Sequence, residues 1–436
     1  MRSSFSGSLL LLLVFIVAPT NLYAKANPDT LARQATAVDS VAAARAIAEL
    51  RSLGPEGLAA LHRVYSTAIA QQVANPLLAS TPEWQRLSKA LDAVSQQKDS
   101  YLGGLYWHTD LEHAKAAARA ANKPILSLRL LGKLSEEYSC ANSRFFRTIL
   151  YSNGEVSNLL RQKFILHWQS VRPAPRVTID FGDGRKLERT LTGNSIHYIL
   201  DSEGKTVEAL PGLYGPGAFL RQLTSTEQLV QQVANKKSPD AGFYTIYQRD
   251  RLNQANLAWL AEIEKSGGKT PAGVVVIRKQ DGTPEALQIA SLAVTKAITE
   301  TSILRSMTAA PEALGAVTDE AVWRKIAQRH LNDAQLDARS IGLIQRQTQK
   351  ALVNKTELDS LVDKLEQNIA LDTVRNEYLL HTKLYAWLIN DQNRSQLDAL
   401  NKKVYAELFL TPATDPWLGL FSPDTYMALE GGGISR

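Results

Sequence analysis

The stretch Pro124-Ile125-Leu126-Ser127-Leu128-Arg129-Leu130-Leu131, followed after a polar loop by Tyr138-Ser139-Cys140-Ala141-Asn142-Ser143-Arg144-Phe145-Phe146-Arg147, sets the reading of this 436-residue chain. The first part is a short apolar run introduced by a proline, the pattern of a buried strand. The second holds the only cysteine of the chain, with a serine three places later. Gly132 to Ser139 reads as a loop, and Cys140 stands where the next helix begins, with Phe145, Phe146, Ile149 and Leu150 along it. A thiol at that place faces unpaired main-chain N–H groups and the positive end of the helix dipole, both of which favour thiolate.

Working outward, strands and helices alternate. Asp110 caps a helix with Leu111, Ala114, Ala117 and Ala118, which stops at Asn122-Lys123 before Pro124. Beyond the cysteine helix, Ser152-Asn153-Gly154 is a break, and a helix from about Glu155 to Gln162 leads to the strand Phe164 to Trp168. A hairpin follows, Val177 to Asp180 and Lys186 to Thr190 around Gly182-Asp183-Gly184. Gly193-Asn194-Ser195 introduces a strand from Ile196 to Leu200. Asp201 to Lys205 then turns into a strand from Thr206 to Leu210, and Gly217 to Leu223 begins a closing helix.

That order of elements around Cys-x-x-Ser resembles the thioredoxin superfamily, over about Tyr106 to Leu223. The resemblance implies an α/β fold with a thioredoxin-like central domain, flanked by an N-terminal helical arm and a C-terminal mostly helical region. It also implies that Cys140 is the attacking thiol and that Ser143 occupies the place of the resolving cysteine. The chain departs from the family twice. A two-thiol cycle cannot run within it, and Ser195, after Asn194, stands where the family has a cis-proline facing the motif. A serine there disfavours cis by about 3 kcal/mol.

Three chemistries are open to Cys140. Ser143 at i+3 can donate to a thiolate, and Arg144 and Arg147 lie on the same side of the helix, which favours a reactive thiol. Such a thiol would form a mixed disulfide with a protein or a small thiol, and an external thiol would have to release it. Alternatively Cys140 packs as a small apolar residue in a domain that binds or scaffolds without turnover. In a third reading His197, two residues past Ser195 and so on the same strand face, serves Cys140 as the base of a hydrolase.

Other motifs are weaker. His108 and His113 do not share a helical face and lack a third metal ligand. Asp180-x-x-Asp183-Gly184 lacks the further carboxylates of a calcium loop and reads as turn chemistry. Gly212 to Gly217 has no phosphate-binding lysine after it. No cofactor and no metal are expected.

The flanks complete the organisation. Arg2, the apolar run Leu9 to Val17 and Ala24-Lys25-Ala26 have the form of a secretory signal over residues 1–26. It predicts a periplasmic or secreted protein with no membrane span after cleavage. Its removal lowers the basic count from 49 to 47 against 43 acidic residues, and the net charge from +6 to +4. That balance, spread without a basic tract, gives no electrostatic case for nucleic acid. A helical arm is expected over 27–100, with helices at Val41 to Leu50, around Leu58 to Tyr65, and at Glu83 to Gln97. The thioredoxin-like domain takes 101–225. A helical domain takes 226–436, with a short strand at Val274 to Ile277 and helices at Leu292 to Leu304, Val322 to Leu331, Leu352 to Ile369 and Tyr378 to Ile389. The tail from Leu410 to Leu420 is expected to pack back across the helices or a domain seam.

Overall fold

A computed structural model describes residues 27–190, 193–234, 242–271, 274–278, 284–289, 311–348 and 354–415. The signal sequence, the expected helix Leu292 to Leu304 and Trp417 lie outside the described residues.

Within the arm, helices run over Pro28–Gln34 (α1), Ser40–Ser52 (α2), Pro55–Val64 (α3), Ser66–Ala74 (α4) and Pro82–Ser95 (α5). The second expected helix, around Leu58 to Tyr65, is α3; α4 is a further helix that starts after Tyr65 leaves helical geometry with φ −109°. The Tyr65 hydroxyl is tied to Thr36 Oγ1 at 2.5 Å. Leu50, Leu61, Leu87, Leu91 and Val94 form the core of this arm.

The centre is a mixed five-stranded sheet. Its strands are Trp107–His108 (β1), Ile125–Leu131 (β2), Ile165–Arg172 (β3), Ser195–Leu200 (β6) and Thr206–Pro211 (β7). Arg176–Asp180 (β4) and Lys186–Thr190 (β5) form a separate hairpin. The order across the large sheet is β1-β3-β2-β6-β7. β1 and β2 run parallel to β3, β6 runs antiparallel to β2, and β7 antiparallel to β6. As the middle strand, β2 is buried at every position, which accounts for its near-continuous apolar sequence.

Helices cover both faces. Leu111–Ala121 (α6) is capped by Asp110, whose carboxylate accepts the His113 N–H at 2.8 Å, and it stops at Asn122 with φ +50°. Ala141–Phe145 (α7), which continues through a π turn to Leu150, Gly154–Lys163 (α8) and Pro216–Ala234 (α9) share the other face. There Leu126, Leu128 and Leu130 of β2 meet Cys140, Phe146, Leu150, Leu160 and Phe219 in one core. α9 is longer than the sequence pattern suggests and passes residue 225 without a break.

In the C-terminal part lie Phe243–Lys265 (α10), residues 311–317 (α11), Glu320–Arg329 (α12), Leu331–Ala334 (α13), Ala338–Gln347 (α14) and Lys355–Arg375 (α15). A π turn leads from α15 into His381–Leu388 (α16), followed by Asp391–Ser395 (α17) and Leu397–Lys403 (α18), the last extended by a π turn to Leu408. The expected strand near Val274 pairs with Pro284–Ile289 in a hairpin. Trp259, Trp323 and Tyr378 stack at the centre of one helical core. Leu384, Leu388, Leu400 and Val404 instead pack on the sheet with α6, so the last helices form part of the central layer.

A candidate thiol site beneath the C-terminal segment

Gly132 ends β2 with φ +75°, a left-handed conformation open to glycine at little cost, and a Cβ there would come within 3.2 Å of Ser139 Cα. This tight exit turns the loop back, so that the Cys140 N–H reaches the Leu131 carbonyl at 3.2 Å. Cys140 is the N-cap of α7. Its Sγ accepts the main-chain N–H of Ser143 at 3.4 Å and lies 3.4 Å from Ser195 Oγ. The structure brings together Cys140, Ser143 and Ser195, three residues of the sequence reading, through a different atom of Ser143. The Ser143 hydroxyl has no hydrogen-bond partner among the described residues, and the donor to sulfur is the backbone.

The arginines are arranged differently from that reading. Arg147 is buried and turns to the Glu137 carbonyl at 3.4 Å and Ser139 Oγ at 3.3 Å, not to the thiol. Asp99, Glu137 and Asp92 supply its opposing charge, while burial lowers its pKa from the usual arginine value. Arg144 is half-buried. No charged side chain is bonded to the sulfur among the described residues.

His197 does share the strand face of Ser195, and it sits in the core without accessible surface. Its Nε2 pairs with the Tyr151 hydroxyl at 2.7 Å, and its ring packs against Phe146 and Phe219. Nδ1 has no hydrogen-bond partner among the described residues. Burial pushes its pKa down to about 3, so the ring is neutral at ordinary pH. Neither nitrogen is bonded to Cys140, and the geometry supplies no nucleophile–base pair.

What encloses the thiol comes from far along the chain. Thr190 Oγ1, at the end of the hairpin, donates to the Ser139 carbonyl at 3.2 Å. The Tyr405 hydroxyl donates to the Asn194 carbonyl at 3.0 Å, and Asn194 Nδ2 donates to Thr411 Oγ1 at 3.0 Å. Arg172 holds the same segment through the carbonyls of Thr411 and Asp415. On the inner side, a Cβ on Gly193 would lie 2.4 Å from Asn142 Oδ1, so a larger residue there would push the Asn142 side chain aside. Cys140 has no accessible surface.

No known protein family, curated protein or solved structure matches this chain. Among the described residues no group of three His, Cys, Asp or Glu side chains could hold a metal ion, and no helix is long and apolar enough to cross a membrane. The residues missed by sequence reasoning are Tyr405, Thr411 and Arg172. Thr411 falls in the tail expected to pack back over the helices or a seam, and Tyr405 and Arg172 lie outside that expectation.

Proposed function

We propose that this chain is an exported, non-catalytic binding protein built on a thioredoxin-like sheet, with Cys140 as a structural helix cap. The observation that carries the reading is the absence of any accessible surface on Cys140, whose sulfur is bonded, among the described residues, only to Ser143 N–H and Ser195 Oγ. The sheet order β1-β3-β2-β6-β7, with two parallel and two antiparallel neighbours, supports the family resemblance. The exported location rests on the signal-like sequence of residues 1–26. The test is iodoacetamide labelling followed by intact mass. The native protein should stay unmodified for hours and take up one adduct in denaturant. Native labelling at the rate of a free thiol would overturn the structural role.

A second reading keeps single-thiol chemistry on a protein or small thiol. The Ser143 N–H aimed at sulfur favours it, since that group stabilises thiolate. In that reading thiolate attacks a disulfide sulfur of the partner, expels the partner's other sulfur as thiolate, and is released by an external thiol. The C-terminal segment would have to lift first.

A further inference from the structure

A cleft of about 1050 Å³ lies between the helical arm and the β1–β3 edge of the sheet, on the described surface and apart from Cys140. It reaches the upper end of the roughly 300–1,000 Å³ range of small-molecule pockets. Leu58, Ile69 and Val73 of the arm form one wall, and Leu160, Phe164 and Leu166 form the other. Beside the hydroxyls of Ser66, Tyr101 and Tyr106, the nitrogen-bearing side chains of the lining are all basic. Arg161, Arg339, Lys123, His62 and His108 line the cleft, and no aspartate or glutamate does. Arg161, Arg339 and Lys123 make no ion pair among the described residues. Arg161 and Arg339 touch main-chain carbonyls only, those of Gly103 and Leu102. Asp337, two residues before Arg339, is occupied by the amides of Gly154 and Ser340.

His62 and Arg161 meet beside Gly104, and the charge of Arg339 is felt at Arg161. Gly104 has φ +58°, and a Cβ on it would lie 3.4 Å from His62 Nε2 and 3.9 Å from Arg161 Nη1. His62 Nε2 is a buried nitrogen without a hydrogen-bond partner among the described residues. Burial and the charge of Arg161 press the His62 pKa down to about 4, so at neutral pH the ring is uncharged and can donate one N–H.

We infer that this cleft binds a single-tailed acyl anion, its hydrocarbon along the apolar walls and its head at His62, Arg161 and Arg339. The head would complete the missing partner of His62 and neutralise adjacent guanidiniums that repel each other. Burial of each methylene should tighten binding about four-fold, so affinity should climb with chain length. Charge also selects against the chain's own first 26 residues as occupant, since they carry Arg2 and Lys25 and no acidic residue. The inference stands whether or not Cys140 reacts, because none of the cleft's residues bonds to the thiol site.

The test is displacement of a fluorescent polyene fatty acid from the full chain. Saturable one-to-one binding is expected, with palmitate displacing the probe at lower concentration than laurate, and laurate lower than octanoate. Hexadecanol should need at least ten-fold more than palmitate. Arg161→Gln and Arg339→Gln should each weaken palmitate about ten-fold and leave hexadecanol unchanged. Arg161 also holds the Gly103 carbonyl, so Lys123→Gln, which removes no side-chain bond of the fold, is the second variant and should weaken palmitate several-fold. Ala70→Trp, at an exposed position on the wall, should block the tail and abolish binding. Phosphatidylglycerol vesicles distinguish the sources. Displacement by lysophosphatidylglycerol monomers and by vesicles points to a membrane lipid, and displacement by fatty acid alone points to a free acid. No saturable probe binding, equal affinity for hexadecanol and palmitate, or displacement by a peptide of residues 1–26 but not by palmitate would each overturn the inference.

Discussion

At the scale of single residues, the core around Cys140 makes its own demands. The sulfur fills a space bounded by leucines of β2 and by Phe146, and it also accepts an N–H. Serine keeps the second function and loses part of the first. Cys140→Ser should therefore fold and lose about 1–2 kcal/mol, while Cys140→Ala should cost more because it leaves the Ser143 N–H unpaired as well. Urea unfolding of the two variants checks the order, and an alanine variant more stable than the serine one would show that the cap contributes nothing. Gly132 offers an independent probe of the loop that delivers the thiol. Its φ of +75° and the 3.2 Å approach to Ser139 Cα predict that Gly132→Ala costs about 1–3 kcal/mol. A shift of the thermal midpoint measures it, and an unchanged midpoint would mean that the loop relaxes freely.

At the scale of elements, four of the five strands of the sheet were legible because local punctuation marks them, whereas the two-residue β1, Trp107–His108, was not expected. Pro124 and Gly132 bracket β2, Asp110 and Asn122 bracket α6, and Asn153 caps α8 through its side chain. These are local signals, and local signals survive without knowledge of the partner. The further helix after Tyr65 was not legible, since no glycine or proline marks the break and the hydrogen bond of Tyr65 to Thr36 spans the arm. Arg147 was misplaced for the same reason. Helical spacing put it beside the thiol, but Asp92 and Asp99, from another element, draw its charge elsewhere. The cover over Cys140 was the least readable, because Tyr405 and Thr411 meet Asn194 across more than 200 positions. Leu410, exposed and with φ +55°, is the bend that brings Thr411 down onto that site. The double variant Tyr405→Phe, Thr411→Val removes two of the bonds that hold the segment and leaves the sheet untouched. Iodoacetamide labelling of Cys140 should accelerate by an order of magnitude or more, with an unchanged far-ultraviolet dichroism spectrum. An unchanged rate would place the barrier in the core itself.

At the scale of the whole molecule, buried histidines decide the response to acid. Burial holds His167 and His197 at about 3, against the ordinary value of 6.5, and both are almost without accessible surface. In the unfolded chain they take up protons near pH 6.5, whereas in the folded chain they stay neutral until near pH 3. The unfolded state therefore binds more protons throughout that window, and stability must fall as pH falls through it. Each group contributes about 1.4 kcal/mol per pH unit below 6.5. Asp92 acts in the opposite sense. Its carboxyl is pushed up to about 6 by burial and by Asp99, so the folded state holds a proton that the unfolded state releases above pH 3.8. That single carboxyl offsets only part of two histidines. His62 and His108, held at about 4 chiefly by burial, act in the same sense as the first two histidines, so the chain should lose at least about 2 kcal/mol between pH 7.5 and pH 5.5, read as a lower urea midpoint. His197→Phe should fold less stably at pH 7.5, because the Tyr151 hydroxyl loses its partner, yet show a pH dependence shallower by about one proton. A variant with the full wild-type slope would mean that the imidazole at position 197 reaches water and titrates in the folded state.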